Sequence, residues 1–472
     1  MIDTYLGLEL KNAGISLQFS DFSPEDAIKV LMERSNGDGS DLREFATKID
    51  SVDEIGSLRN EFLFPKTNGK CAIYFVGNSL GLQPRECSKL VQAELDSWAN
   101  RGVNGHFEGP KPWLNYDEFI VEEMARIVGA LPSEVAIMNS LTVNLHLLMI
   151  RFFNPSTTDN FKRSKILIEK KSFPSDFYAF ESQLRMRGLD PQRCIVEVNP
   201  REGEHCLRTQ DILDEIHRLG DELALVAFSG VQFYTGQLFD IFKITETAHS
   251  VGALAVWDMA HAAGSVDLQL HEWNVDGACW CTYKYLNSGP GGIGGFFIHE
   301  QHFGQSLSVD RLQGWWGHKE SSRFEMTNVF EPCVGAGEFR LSNVPILTSA
   351  ALSSSLKIFA RTNMRTLRAK SLLLTAFLEL VLTEVRSTIV AGSELDFQVI
   401  TGEDRGAQLS VLFASDENAK RLSKKLEEVG VMIDYRRPGL IRVAPAPLFC
   451  SFTDVVDFRD ALGIAIKELE MK

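Results

Sequence analysis

The chain lacks an apolar run long enough to cross a bilayer. Its most hydrophobic stretch, Leu372 to Leu382, is broken by Glu379 and falls short of the roughly 20 residues a spanning helix needs. It also lacks a basic excess. Lysines and arginines number 48 against 63 acids, a formal charge of -15, which argues against nucleic acid or an anionic membrane as main partner. Eight cysteines in 472 residues, at 71, 87, 194, 206, 279, 281, 333 and 450, make no C-x-x-C pair, so reduced thiols rather than a disulfide framework are expected. The ten histidines form no H-x-x-x-H pair, and no metal site is expected. The opening M-I-D-T-Y-L-G-L-E-L has neither the basic nor the apolar region of a signal peptide, which predicts a cytoplasmic protein. No repeat or low-complexity tract is present.

What is there is an ordinary globular composition, 44% hydrophobic and 24% charged, in a chain long enough for two or three domains. Residues 1–65 read as a polar N-terminal arm, with one helix entered at Ser23-Pro24-Glu25-Asp26 and a loop at 35–40. Residues 66–344 read as a large domain. Ile73 to Val76 predicts a strand, and Pro84 to Asn100 a helix with Leu90, Val91, Leu95 and Trp98 near one face. Strands at 165–168, 194–198, 223–228 and 253–257 alternate with helices at 175–187, 209–219 and 240–251, the signature of an α/β fold with a mainly parallel sheet. Residues 345–472 read as a smaller α+β domain, with strands at 397–400, 409–413, 431–434 and 439–444.

The stretch Val256 to Phe297 organises the rest. One apolar run ends on Asp258; a second, Gly277 to Cys281, is followed by Thr-Tyr-Lys284 and a glycine-rich turn. A carboxylate and a lysine at neighbouring strand ends suit pyridoxal phosphate (PLP), which needs a lysine for a Schiff base and an acid against its pyridine nitrogen. A surface lysine and a helix-capping acid are the bland alternative. Ligands on such sheets gather at the carboxyl ends of strands, where Ser229 and Asp258 sit and which Phe173 soon follows. Asn139, Ser140 and Thr142 precede an apolar helix, so the Leu141-Thr142 backbone either receives a phosphate or is simply capped. His261 either orients Asp258 or touches the cofactor, or is structural. Arg442, inside an apolar strand, needs a partner: a substrate carboxylate or an ion pair. Gly289 to Gly295 lacks the strand–G-x-G-x-x-G–helix order of a dinucleotide loop.

With Phe75-Val-Gly-Asn-Ser-Leu-Gly-Leu-Gln-Pro84, Phe173-Pro174-Ser175-Asp176, Trp257-Asp-Met-Ala-His-Ala-Ala-Gly264, Tyr283-Lys-Tyr-Leu-Asn287, Gly314-Trp-Trp-Gly-His318, Phe339-Arg-Leu-Ser-Asn343 and Arg442-Val-Ala-Pro445, the chain from about residue 70 onward resembles the kynureninase family. These are PLP enzymes of the aspartate-aminotransferase fold (PLP-dependent transferase fold type I), related to class V. The resemblance implies that Lys284 carries PLP, Asp258 pairs with the pyridine N–H and Phe173 stacks on the ring. Leu141, Thr142 and Tyr283 would touch cofactor or phosphate, with Pro174, Ser175, Asp176, Ser229 and His261 nearby. Trp315 and Asn343 would reach the cofactor across a homodimer interface with shared sites. Arg442 would clamp the substrate carboxylate, with Ser79, His106 and Asn343 near its aromatic end.

The implied reaction is hydrolytic Cβ–Cγ cleavage of L-kynurenine, or its 3-hydroxy form, to anthranilate or 3-hydroxyanthranilate and L-alanine, a step of tryptophan catabolism and pyridine nucleotide biosynthesis. Lys284 would act as base and Tyr283 as proton donor. Two rivals stand beside this. A cysteine desulfurase or class V aminotransferase would require a reactive cysteine, for which only Cys333 is positioned. A catalytically silent PLP-fold scaffold would have no need of Asp258, Lys284 and Arg442 together.

Overall fold

In the computed structural model the described residues are 41–156, 161–304 and 311–470. The helix expected at Ser23-Pro24 lies outside them. The principal sheet has seven strands: β1 (Val135–Ile137), β2 (Lys165–Glu169), β3 (Ile195–Val198), β4 (Leu223–Ser229), β5 (Leu254–Asp258), β6 (Gly277–Cys281) and β7 (Gly294–Ile298). Their spatial order is β1-β7-β6-β5-β4-β2-β3, and β7 alone runs against its neighbours. Both faces are covered, as a parallel sheet requires. Ile166, Ile168 and Val256 point into one apolar cluster with Leu148, Phe180 and Leu184; the intervening Leu167, Ala255 and Trp257 point into another with Ile241 and Ile244. This period-two split is why the strands read as continuous apolar runs. Close packing also fixes Gly295, where a Cβ would strike the Trp280 ring at 2.1 Å.

A second sheet, antiparallel, is built from β8 (Phe397–Val399), β9 (Leu409–Phe413), β10 (Asp434–Arg436) and β11 (Leu440–Val443) in the order β8-β9-β11-β10. The helix Leu42–Val52 packs beside the helices Met364–Val385 and Phe452–Glu470. Phe45 lies 5.4 Å from Phe377, and Lys370 meets Asp53 at 2.8 Å with both side chains 2% exposed. Asp50 accepts from the Phe452 and Thr453 N–H groups, at 2.8 and 2.9 Å, and so caps the last helix.

One expectation is corrected, and one strand is not foreseen by the sequence pattern. Val135–Ile137, unpredicted, is an edge strand, because three apolar residues directly before the helix Leu141–Phe152 merge with it in the sequence pattern. The run 431–434 is not one strand: Val431–Met432 pairs with Ile73–Tyr74, whereas Asp434 begins a strand paired with Leu440–Val443. The helix Cys87–Arg101 forms as expected and packs on the helix Ile346–Phe359; Leu90, Val91 and Leu95 are half-buried there, and Trp98 is 64% exposed.

Candidate active site

The strand register brings the candidate residues together. Asp258, last in β5, lies beside Ser229 at the end of β4, and Lys284 follows β6 by three residues. One pocket is lined by Leu141, Thr142, Phe173, Ser175, Ser229, Val231, Phe233, Asp258, Ala260, His261, Tyr283 and Lys284. The Lys284 turn is held from above: the Gly81 N–H donates to the Tyr283 carbonyl at 2.8 Å, and a Cβ on Gly81 would meet the Lys284 carbonyl at 2.3 Å. That close approach requires glycine and sets Ser79, two residues earlier, next to the turn.

Two helix N-termini meet at the pocket. Ser140 and Phe173, the N-cap residues of Leu141–Phe152 and Pro174–Met186, make no side-chain capping bond. Asn139, in left-handed backbone at φ 51°, spends its amide on Asn144 at 3.0 Å. The hydroxyls of Thr142 and Ser175 lie 2.9 Å apart between the two termini. Uncapped first turns and paired hydroxyls are the elements from which an anion site is built. The capping alternative for this segment is therefore not what the structure displays.

The pocket floor is acidic. Asp258 accepts from the Ala260 N–H at 2.8 Å and lies beside Asp176. Burial raises the pKa of both; the Lys284 cation draws Asp258 back down, whereas the Asp258 charge pushes Asp176 further up. Of the pair, Asp176 is thus the one pushed further toward its protonated form, and Asp258 the one drawn back toward its anion. A third acid, Glu169, accepts from the Ser229 hydroxyl at 2.6 Å; burial pushes its pKa up to about 7. The apolar pattern alone ends this strand at Ile168 and passes over Glu169; an acid terminating a buried apolar run is the signal that points to it. Lys284 Nζ lies 3.0 Å from His261 Nε2. Burial, with the Lys284 and Arg442 charges, drives the His261 pKa down, so the imidazole is neutral and its lone pair accepts from the ammonium.

This floor fits PLP. Asp176 Oδ1, Glu169 Oε2 and His261 Nδ1 are buried without hydrogen-bond partners. Three acids stand opposite Lys284, and a pyridine N–H would place the further positive charge that Asp258 requires. Phe173, 42% exposed, presents its ring to the pocket with Lys284 Nζ 5.9 Å from its centroid, while Phe233 braces its edge at 5.2 Å.

Because folding raises the proton affinity of Glu169, its protonation favours the folded chain, a gain complete below about pH 4.5 and gone once the pH passes about 7. Glu169→Gln has no such dependence. Its melting temperature, relative to wild type, is expected to be higher at pH 8 than at pH 5 by roughly 5 °C; equal differences at both values would contradict a buried titrating Glu169.

The structure does not bring the remaining candidates to this pocket within one chain. Trp315 is half-exposed, donates Nε1–H to the Arg323 carbonyl at 3.3 Å and packs on Trp316 and Phe324. Asn343 is exposed, its amide oxygen accepting from Ser342. His106 packs edge-on against Trp113 at 5.3 Å. Arg442, 2% exposed, pairs with Asp434 and adjoins the pocket through the Phe233 carbonyl, to which its Nη1 donates at 2.9 Å. Cys333 is away from the pocket, and burial raises its thiol pKa, the opposite of what a nucleophile requires.

Two family profiles match the sequence: "Kynureninase C-terminal domain" over residues 367–462 and "Aminotransferase class-V" over 193–400. Similar curated proteins include kynureninases of Flavobacterium johnsoniae (46% identical over 423 residues; 89% of this chain, 97% of the relative), Nematostella vectensis (44% over 467; 95% and 99%) and Mus musculus (45% over 458; 92% and 95%). Among solved structures, a C-DES mutant with glycine covalently linked to its PLP cofactor superposes with a TM-score of 0.66 at 16% identity, covering 83% of this chain and 96% of that one. The cysteine desulfurase CsdA of Escherichia coli gives 0.66 at 17%, covering 89% and 99%. At these identities the superpositions establish the fold, PLP-dependent fold type I, and nothing finer.

Proposed function

The chain belongs to the kynureninase family, and from that premise we propose that the pocket around Lys284 is its active site. The protein uses PLP and water to cleave kynurenine at Cβ–Cγ. The observation that carries the assignment of the site is the convergence of Lys284, Asp258 and two uncapped helix ends on one pocket.

When bound, PLP supplies an electron sink for the substrate's α-carbon. Everything else falls to the protein. Thr142, Ser175 and the two helix termini hold the phosphate, with Leu141 and Pro174 shaping their first turns. Asp258 would hold the pyridine N–H, and Asp176, holding its own proton beside it, would favour the Asp258 anion. Phe173 covers the ring face and excludes water. Lys284 Nζ carries the cofactor and takes the Cα proton, and neutral His261 aims that nitrogen. Tyr283, whose hydroxyl is kept protonated chiefly by burial, is the proton donor. Arg442 receives the substrate carboxylate, while Ser79, His106 and Asn343 surround its aromatic end.

Trp315 and Asn343 serve the site of a partner copy in a homodimer. Supporting this are their distance from the pocket of their own chain and the open apolar surface of Trp98, Val103, Phe107, Phe324 and Met326. Co-expressing Lys284→Ala with Asn343→Ala chains is then expected to restore about a quarter of wild-type activity, the share of intact sites after random pairing. No recovery in the mixed dimers would contradict shared sites. A division at residues 65 and 344 and a cytoplasmic location complete the proposal. No helix of the described residues is long and apolar enough to cross a membrane.

The direct assay is anthranilate fluorescence from purified protein, PLP and L-kynurenine. Anthranilate with an equal yield of L-alanine is expected; sulfide from cysteine, without anthranilate, would overturn it. Running both kynurenine and its 3-hydroxy form fixes the preferred substrate.

A further inference from the structure

We infer that Asp434 is a positioning residue for substrate binding: it holds the Arg442 guanidinium side-on, so that the end-on edge is presented to an α-carboxylate. The inference rests on the proposed role of Arg442. Asp434 and Arg442 stand directly opposite each other on antiparallel strands, the closest cross-strand relationship a sheet offers. One carboxylate oxygen, Asp434 Oδ2, accepts from Arg442 Nε at 2.6 Å, from Arg442 Nη2, and from Arg436 Nε at 2.9 Å. The Phe233 carbonyl accepts from Arg442 Nη1 at 2.9 Å and is itself held by Gln408 Nε2 at 3.1 Å.

A guanidinium has five N–H groups in one plane. Asp434 and Phe233 take three. The two left over are one on each terminal nitrogen, and the two terminal nitrogens together can engage a carboxylate in bidentate fashion. Among the described residues nothing accepts from the two left over. The charges point the same way. Two guanidinium groups against one carboxylate leave one positive charge, matched by one substrate carboxylate. That charge faces the site, since the fields of both arginines help to hold His261 neutral.

An ion pair that merely neutralised a buried arginine would not need this arrangement. Lacking its anchor, Arg442 is left beside the like charge of Arg436 and turns away. Carboxylate binding is felt equally in ground and transition states, so the loss falls on KM and not on kcat.

The test compares PLP-loaded Asp434→Asn with wild type. KM for L-kynurenine is expected to rise about tenfold with kcat within twofold. The inhibition constant of the decarboxylated amine, identical in skeleton but without the α-carboxylate, is expected to stay unchanged. An unchanged KM, or equal weakening of both ligands, overturns the inference. Arg442→Lys, run in parallel, isolates the underlying role. If it leaves KM unchanged, the carboxylate role of Arg442 falls; if it raises KM while Asp434→Asn does not, only the positioning role falls. Should Asp434→Asn fail to fold, Asp434→Glu keeps the charge but displaces it by one methylene; a KM rise of at least threefold supports the inference, and an unchanged KM overturns it.

Discussion

Lys284→Ala is expected to remove the visible absorption of lysine-linked PLP and to lower kynurenine cleavage by at least about a thousandfold, the scale of losing a positioned base. On the proposed roles, two functions reside in one Nζ: the covalent hold on the cofactor and the transfer of the Cα proton. No neighbour can replace it. His261, the nearest basic group at 3.0 Å, is held neutral by burial and surrounding positive charge, and the Phe173 ring lies on the other side. The fold survives the substitution because the turn is fixed by backbone contacts, Gly81 N–H to the Tyr283 carbonyl and Asn287 N–H to the Lys284 carbonyl, which alanine retains. Near-normal absorption and turnover in the variant would remove Lys284 from the chemistry.

Asp258→Asn is expected to bind PLP and yet lose about 10² to 10³ in kcat, the scale of removing one preorganised electrostatic partner. The phosphate cradle lies on the helices Leu141–Phe152 and Pro174–Met186 and is untouched, so occupancy persists. What would be lost is the anion proposed to hold the pyridine N–H of PLP. Asp176 is adjacent but holds its own proton, and Glu169 is committed to Ser229. Spectroscopic titration with PLP, run beside steady-state turnover, separates the two effects. A variant with full activity would show that the acid is structural.

Much of this was legible in the sequence, because the relevant residues sit at the ends of apolar strands. Asp258 after A-V-W, Lys284 shortly after A-C-W-C, and Phe173 at the head of a helix were visible as interruptions of a hydrophobic pattern. The parallel sheet was equally visible, since strands buried on both faces read as unbroken apolar runs. Glu169 escaped because its strand had already satisfied the pattern one residue earlier. Asp434 escaped for a different reason: register between Asp434–Arg436 and Leu440–Val443 depends on the turn that joins them, and cross-strand partners are not adjacent in sequence. Whether the helix Leu141–Phe152 was capped or open depended on where Asn139 spends its amide, which is a tertiary matter. The apolar face of Cys87–Arg101 shows the opposite limit. Its periodicity correctly predicted a helix, but nothing in that pattern tells an internal partner from an external one.

Borohydride reduction of the PLP-loaded protein, followed by peptide mapping by mass spectrometry, tests the role of Lys284 most directly. One pyridoxyl group per chain is expected, on Lys284, with kynurenine cleavage lost in proportion to labelling. A label on another lysine, or cleavage that persists after Lys284 is fully labelled, would contradict it.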